Sequence, residues 1–129
     1  MRNKVMKKLF IVGLMMLAGS AWAEWTQTTK NRDGDDIYLD YSTIKKDGDN
    51  RKVWALLNLK KTKGKIKSEL MLEEYDCKNE QAQFLYISTH SAPMGKGKLI
   101  DVHEYKEPDW GQIPPNSPFK DILDIVCSK

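Results

Sequence analysis

Few side chains in this sequence could carry out catalysis. The two histidines, His90 and His103, are predicted to lie on neighbouring strands, where they could form a two-ligand metal corner or supply a general base. Neither falls in a spacing such as H-E-x-x-H, and no G-x-S-x-G motif accompanies them. A hydrolytic role would rest on these two histidines alone. The favoured interpretation is that both are partly exposed residues of the sheet without a catalytic role. We therefore predict no enzyme, no metal site and no cofactor.

Two acidic segments, residues 33–36 and 47–50, resemble the start of a calcium-binding loop. An EF-hand loop needs alternating oxygen ligands, a glycine at about its sixth position and a glutamate at about its twelfth. After Asp47 and Asp49, the next alternate position is Arg51, whose charge repels a cation. Turns between strands explain both segments better than a calcium site does.

Positive charge is most concentrated in residues 60–67, here called the lysine hairpin. It holds five lysines: Lys60, Lys61, Lys63, Lys65 and Lys67. They could dock on anionic polymers such as glycosaminoglycan or lipopolysaccharide, or on an acidic host protein. A solvated hairpin whose lysines discourage edge-to-edge aggregation is the alternative, which the sequence favours.

Trp110, beside prolines in a connection, is a further candidate binding residue that either packs over a helix or faces a partner.

The first 23 residues have the composition of a secretory signal peptide. They begin with four basic residues and no acidic one: Arg2, Lys4, Lys7 and Lys8. The apolar run 9–18 follows, and an A-x-A site ends at Ala23. Ten apolar residues span about 15 Å as a helix, roughly half the hydrocarbon core, so a transmembrane helix is disfavoured. We predict cleavage before Glu24, with an uncleaved amphipathic helix as the alternative.

Removing this leader changes the net charge. The whole chain has 21 basic and 18 acidic residues, for a net charge of +3. The leader holds four of the basic residues and none of the acidic ones, so residues 24–129 carry 17 against 18, a net charge of −1. A nucleic-acid partner needs a sustained basic excess and is therefore disfavoured.

The predicted mature chain has the size of one domain and two cysteines. Residues 24–129 number 106, which suits a single domain. An export signal directs Cys77 and Cys127 to an oxidising compartment, where pairing is the default. The sequence therefore predicts a disulfide between them, with two free thiols as the alternative.

Turn signals divide the chain into short strands followed by one helix. Alternating or β-rich composition predicts strands at 25–30, 37–41, 53–59, 66–75, 82–90 and 99–105, although a helix competes over 70–75. The strand over 53–59 is apolar on both faces and should be central, with Trp54 packed between sheet and helix. Ser117 is the predicted N-cap of a C-terminal helix that begins at Pro118.

This order of elements predicts the fold class. The stripe that places the helix on the sheet consists of Phe119, Ile122, Leu123, Val126 and Cys127. We expect an α+β domain, in which an antiparallel sheet of about five to six strands carries one C-terminal helix tied to it by the disulfide.

Several short motifs, taken in their order along the chain, resemble one known family. They are Ile37-Tyr38-Leu39-Asp40, Ser42-Thr43-Ile44, Val53-Trp54, Glu74-Tyr75-Asp76-Cys77, and Trp110-x-x-Ile113-x-Pro115-x-Ser117 with a final Cys127. Together they resemble the surface-adhesin protein E family of Gram-negative bacteria, over about residues 25–127. The resemblance implies a sheet of about six strands with a C-terminal helix, and it assigns Cys77 and Cys127 as a structural pair.

The same resemblance implies a binding protein. Members are adhesins for host extracellular-matrix and plasma proteins such as vitronectin, laminin and plasminogen, and a dimer has been described, so a homodimer is expected. The adhesin of this family is anchored by a lipidated cysteine at its mature N-terminus, where this chain has Glu24. We therefore expect a periplasmic or secreted protein without that anchor or a membrane span. The alternative function is a soluble periplasmic protein that stabilises or regulates an envelope complex.

Overall fold

Seven strands of one sheet and a single α-helix make up the fold in the computed structural model, which describes residues 23–129. The predicted signal peptide lies outside the described residues, except for Ala23. The strands are β1 (Thr26–Lys30), β2 (Asp36–Asp47), β3 (Asn50–Lys63), β4 (Ile66–Asp76), β5 (Gln81–His90), β6 (Leu99–Glu104) and β7 (Gly111–Gln112). The helix α1 spans Pro118–Cys127, and a single 3-10 turn covers Pro93–Gly95. Within residues 23–129, no helix has the length and apolar character needed to cross a bilayer.

Strands β1 to β6 follow one another across the sheet, and every pair is antiparallel. The short strand β7 pairs with the beginning of β5. Two-residue turns join β2 to β3 and β3 to β4, and their first residues, Gly48 and Gly64, both have φ of 58°. A positive φ at this turn position is readily adopted only by glycine, so both hairpins are encoded locally.

One face of the sheet is covered by α1. Ser117 begins the helix by accepting a hydrogen bond from the Lys120 backbone N–H (3.3 Å), and Pro118 follows as its first residue. The buried sheet and helix residues of this core are Ile37, Leu39, Val53, Ala55, Met71, Tyr75, Ile122, Leu123 and Val126. The predicted N-cap and the buried positions Ile122, Leu123 and Val126 are confirmed.

The opposite face carries a second, smaller apolar layer. Trp54 lies there and packs edge to face on Tyr86, with ring centroids 5.6 Å apart. The prediction that Trp54 packs between sheet and helix is therefore wrong, because the alternation of β3 points Val53 and Ala55 toward α1 instead. Leu56 on this face is fully buried, with Gly95 of the 3-10 turn against it.

The predicted disulfide joins the end of α1 to the residue after β4. Cys77 and Cys127 are bonded, with their Cα atoms 5.8 Å apart and a sequence separation of 50. The Cys77 backbone N–H also donates to the Asp49 carbonyl (2.9 Å), which ties the β2–β3 turn to the same place. Helix and sheet are thus linked covalently at one end of the fold.

The structure confirms the α+β class but has more strand than predicted. Strands β2 and β3 extend to a shared tight turn, and β7 lies inside the connection expected to be irregular. Residues 70–75 are strand, so the competing helix does not form. A bulge between β4 and β5 makes Phe84 and Ile87 pack on the same core, although strict alternation along β5 would place them on opposite faces.

Candidate functional site

The two histidines do not form a common site. Strand β5 carries His90 on the face away from α1, where its Nε2 lies 2.8 Å from Ser88 Oγ. His103 on β6 pairs with Ile87, a residue of the helix-covered core, and stacks edge to face on Tyr105. Because the two side chains lie on opposite faces, they share no cleft, and the hydrolytic alternative loses its basis.

The acidic segments are turns, as predicted. In residues 31–35, the Asn31 side-chain oxygen accepts the backbone N–H groups of Asp33 (3.1 Å) and Asp35 (2.9 Å). Residues 47–50 close the β2–β3 hairpin. Over the part of the chain that the structure describes, no group of three or more histidine, cysteine or acidic side chains is placed to hold a metal ion.

The lysine hairpin projects from the sheet. The pairing of β2 with β3 ends at Asn58, and that of β4 with β5 ends at Ser68. Residues 59–67 therefore extend past both neighbouring strands, and among the strands of residues 23–129 they pair only with one another. All five lysine side chains of the hairpin are exposed. The arrangement leaves their ammonium groups free to approach a partner from several directions.

The base of the hairpin is fixed to the 31–35 turn. The buried carboxylate of Asp35 accepts the backbone N–H of Lys60 (2.8 Å) and the side-chain N–H of Asn31 (2.9 Å). The Lys60 stem also packs over Gly34, where an added Cβ would lie 3.3 Å from Lys60 Cδ. These contacts hold the first lysine and leave the remainder of the hairpin solvated.

Two further lysines lie close to this base, which the sequence alone did not indicate. The Asn58 side-chain oxygen accepts the Met94 backbone N–H (2.8 Å), and Ser68 Oγ accepts that of Gly95 (2.9 Å). The 3-10 turn thereby docks where the hairpin leaves the sheet, and it brings the exposed Lys96 and Lys98 with it. The polar residues Asn58 and Ser68, placed inside apolar strands, are the signal that could have indicated this docking.

None of the five hairpin lysines is in an ion pair within residues 23–129. The ion pairs there are Lys30–Asp36, Lys120–Glu80 and Lys120–Asp124.

Trp110 is half-buried beside β7, which pairs with Gln81 and Ala82 at the start of β5. The hairpin leaves the sheet near His90 at the other end of β5, about 26 Å away at 3.3 Å per residue. The structure therefore does not join Trp110 to the lysines in one site.

The outer edge of β6 carries exposed apolar side chains. Within residues 23–129 this strand pairs only with β5, and its Leu99, Ile100 and Val102 are 58%, 41% and 39% exposed. The other edge strand, β1, consists of threonine, glutamine and lysine residues. Exposed apolar side chains on an unpaired strand edge are a typical surface for adding another strand.

A cavity of about 330 Å³ lies beside α1, on the helix-covered face of the sheet. Its floor includes Glu73, which is 3% exposed and accepts a hydrogen bond from the Tyr75 hydroxyl (2.6 Å). Burial raises the pKa of Glu73 to about 7, and the hydrogen bond from Tyr75 offsets part of that rise. The pKa of Tyr75 is also raised, chiefly by burial and then by the neighbouring Glu73 charge. The sequence pattern around Glu73 and Tyr75 predicts only a half-buried strand and gives no sign of this cavity.

The sequence profile of one family, described as surface-adhesin protein E, matches residues 25–128. The chain belongs to the surface-adhesin protein E family. No curated protein matches it.

Solved structures of Haemophilus influenzae protein E share the fold of this member of the adhesin E family. One has a TM-score of 0.61 at 16% identity, covering 81% of this chain and 83% of the other. A selenomethionine form has a TM-score of 0.62 at 14% identity, covering 81% and 86%. A structure from a non-typeable strain has a TM-score of 0.57 at 16% identity, covering 81% and 75%.

Proposed function

We propose that this adhesin E family member is a non-enzymatic, exported binding domain that docks on densely anionic partners through the lysine hairpin. Such partners are anionic envelope or host polymers and the acidic surfaces of host matrix or plasma proteins. The observation that supports the proposal is the projection of five exposed lysines beyond the sheet, with no ion pair to any described acidic residue.

The electrostatics of the rest of the chain make this charge local. Residues 24–129 carry a net charge of −1, so attraction to an anionic partner comes from one surface and not from the whole protein. Exposed charges separated by more than about 8 Å are largely screened at physiological ionic strength. Binding through the hairpin should therefore weaken steeply as salt is added.

Charge reversal at the hairpin tests the proposal. The variant Lys61→Glu/Lys63→Glu/Lys65→Glu should lose at least about tenfold in affinity for immobilised heparin, since an attractive surface becomes repulsive. The matched control, Lys45→Glu/Lys46→Glu/Lys52→Glu, changes the charge equally among exposed lysines of the β2–β3 hairpin at the other end of β3. It should retain most of the affinity. Equal losses in the two variants, or binding that does not respond to salt, would contradict the proposal.

The same pair of variants can identify the partner class. Purified vitronectin, laminin and plasminogen, tested by surface plasmon resonance, separate a host-protein partner from a polymer. Binding of any of them that is lost only in the hairpin variant supports an adhesin role. Binding to neither proteins nor heparin would refute the proposed function.

The open edge of β6 supports a homodimer, in which β6 of one copy pairs with β6 of the other. Antiparallel pairing of two identical edges is compatible with a two-fold axis, and it would cover the exposed Leu99, Ile100 and Val102. Ile100→Lys/Val102→Lys should convert a dimer to a monomer in light scattering after gel filtration. Thr26→Lys/Thr28→Lys on the polar edge strand β1 should leave the mass unchanged. A monomeric wild-type protein, or dimers in both variants, would exclude this arrangement.

Export to the periplasm or the medium belongs to the same proposal. Mass spectrometry of protein recovered from fractionated cells should find Glu24 as an unmodified first residue. An intact Met1, or a lipid-modified N-terminus, would show that the proposed processing is wrong.

A further inference from the structure

We propose that the cavity beside α1 binds a small organic ammonium ion, a site separate from the lysine hairpin. Ligand pockets usually have volumes of about 300 to 1,000 Å³, and at about 330 Å³ this cavity suits a compact molecule with an apolar body. The sheet supplies its floor, and residues 105–119 fold over it. Its exposed lining residues Asp109, Gln112 and Pro114 form a rim through which a ligand can enter.

The connection that lines the cavity is held in place by hydrogen bonds that its backbone N–H groups donate to residues of the sheet and its turn. Gln83 Oε1 accepts the Asp109 backbone N–H (2.9 Å), and the Glu80 carbonyl accepts that of Ile113 (3.1 Å). Strand β7 adds a second attachment through its pairing with β5. The walls are therefore built by defined contacts, which gives the cavity a fixed shape.

Glu73 provides the group that a cation would contact. Its Oε1 accepts the Tyr75 hydroxyl, whereas its Oε2 accepts no hydrogen bond from any residue in 23–129. Oε2 keeps some accessible surface and Glu73 lines the cavity, so this oxygen faces the open space of the cavity. A residue that is 97% buried thus presents an unused acceptor to a largely apolar cavity.

The charges around the cavity favour a cation over a neutral or anionic ligand. The other titratable lining residues are Tyr75 on β4 and Tyr105 and Asp109 in the connection after β6. No lysine, arginine or histidine is among the described lining residues, and β5 and α1 contribute only uncharged ones. Once Glu73 is ionised, an ammonium group would neutralise a buried negative charge that has no positive partner within residues 23–129.

Aromatic rings supply the second feature of an ammonium site. The Phe84 ring lies 5.9 Å from Phe119 and 6.4 Å from Tyr105, measured between ring centroids. All three line the cavity. Aromatic faces attract organic cations and also bury their apolar bodies, as in the aromatic cages that hold methylated amines. A buried carboxylate next to three aromatic side chains therefore matches an alkyl- or arylammonium ion.

Titration calorimetry with 2-phenylethylammonium tests the site, using protein isolated from cells that express the full chain. At pH 8 we expect saturable binding at one site per chain. Affinity for the neutral 2-phenylethanol should be at least about tenfold weaker, because it offers no charge to Glu73. The anionic 3-phenylpropionate should not bind.

Variants and pH separate a Glu73 site from nonspecific adsorption. Glu73→Gln keeps the side-chain shape and should weaken ammonium binding by about tenfold or more, whereas Glu104→Gln, an exposed carboxylate on β6, should not. With Glu73 titrating near pH 7, its ionised fraction, and with it the wild-type affinity, should rise about tenfold from pH 6 to pH 8. The Glu73→Gln affinity should stay constant over this range. Phe84→Leu should also weaken binding while preserving the pH response.

Three results would overturn the assignment. They are no saturable binding by the folded wild-type protein, equal affinities of wild type and Glu73→Gln, and binding of 2-phenylethanol as tight as that of the ammonium ion. The lysine hairpin variant should bind 2-phenylethylammonium normally, so failure of this site and failure of the proposed adhesin function are distinguishable.

Discussion

Replacing Glu73 with glutamine should remove a large pH-dependent loss of stability. In the folded protein, burial raises the pKa of Glu73 from 4.5 to about 7. Below pH 4.5, both the folded and the unfolded chain hold the proton. Between pH 4.5 and 7 the unfolded chain releases it while the folded chain keeps it, so the free energy of unfolding falls as the pH rises. The loss is complete above about pH 7.

The size of this loss follows from the two pKa values. At about 1.4 kcal/mol for each pH unit between 4.5 and about 7, ionising Glu73 in the folded protein costs about 3 kcal/mol. A domain of this size has a total stability of about 5–15 kcal/mol, so the effect is readily measurable. Tyr75 does not contribute between pH 4.5 and 8, because its ordinary pKa is 10.0 and burial raises it further, so the folded and the unfolded chain both keep its proton.

Urea unfolding monitored by tryptophan fluorescence at pH 4.5, 6, 7 and 8 measures the effect. Phosphate or acetate buffer should be used, since Tris is itself an organic ammonium ion. Subtracting the wild-type free energy of unfolding from that of Glu73→Gln cancels the contributions of other titrating groups. The difference should grow by about 3 kcal/mol in favour of the variant between pH 4.5 and 8. For the control Glu104→Gln, the difference in the free energy of unfolding from wild type should not change with pH. The same result for Glu73→Gln would refute the claim that Glu73 is a buried carboxylate without a positive partner.

Three further predictions concern the contacts that hold the fold. Tyr75→Phe removes the hydrogen bond that lowers the pKa of Glu73, so the midpoint of the pH-dependent loss should move above pH 7 in the same titration, and a downward move would contradict this. Cys77→Ser/Cys127→Ser opens a loop of about 50 residues and should lower the free energy of unfolding by about 4 kcal/mol, measured by urea with wild type in reductant as the comparison. If oxidised wild type and the double variant unfold at the same urea concentration, the disulfide has no such role. Ser117→Ala removes the N-cap acceptor of α1 and should cost about 1 kcal/mol, and a cost no larger than that of Ser128→Ala would show that capping does not matter.

Local sequence patterns predicted most elements of this fold. The alternation in residues 66–75 and 82–90, the turn glycines, and Ser117-Pro118 are signals that depend only on near neighbours. They located six strands and the helix. The two-residue turns at Gly48 and Gly64 explain why β2 and β3 run farther than their apolar segments, because strand pairing continues to the turn even through lysine and aspartate.

Features that depend on distant contacts were missed. The bulge opposite Leu72 shifts the register of β5 by one residue, and no local signal marks it. The pairing of β7 involves only two residues, too few to produce a periodic pattern. Glu73 stands between Leu72 and Glu74, a setting that also suits an exposed strand residue. Only the folding of residues 105–119 over it creates the cavity.

The lysine surface was recognised only in part. The five hairpin lysines lie within eight residues, so the sequence alone indicates a basic segment. Lys96 and Lys98 join them only through the docking of the 3-10 turn on Asn58 and Ser68. Trp110 was grouped with the lysines as a candidate binding residue, and the register of β5 places it at the other end of the sheet.

A backbone amide NMR titration with a heparin oligosaccharide tests the central claim, that this adhesin E family member binds anionic partners through the lysine hairpin. The largest chemical-shift changes should fall on residues 60–67 and 96–98, and they should disappear when the salt concentration is raised. Changes centred on residues 45–52 or on the cavity beside α1, or no changes at low salt, would contradict the claim.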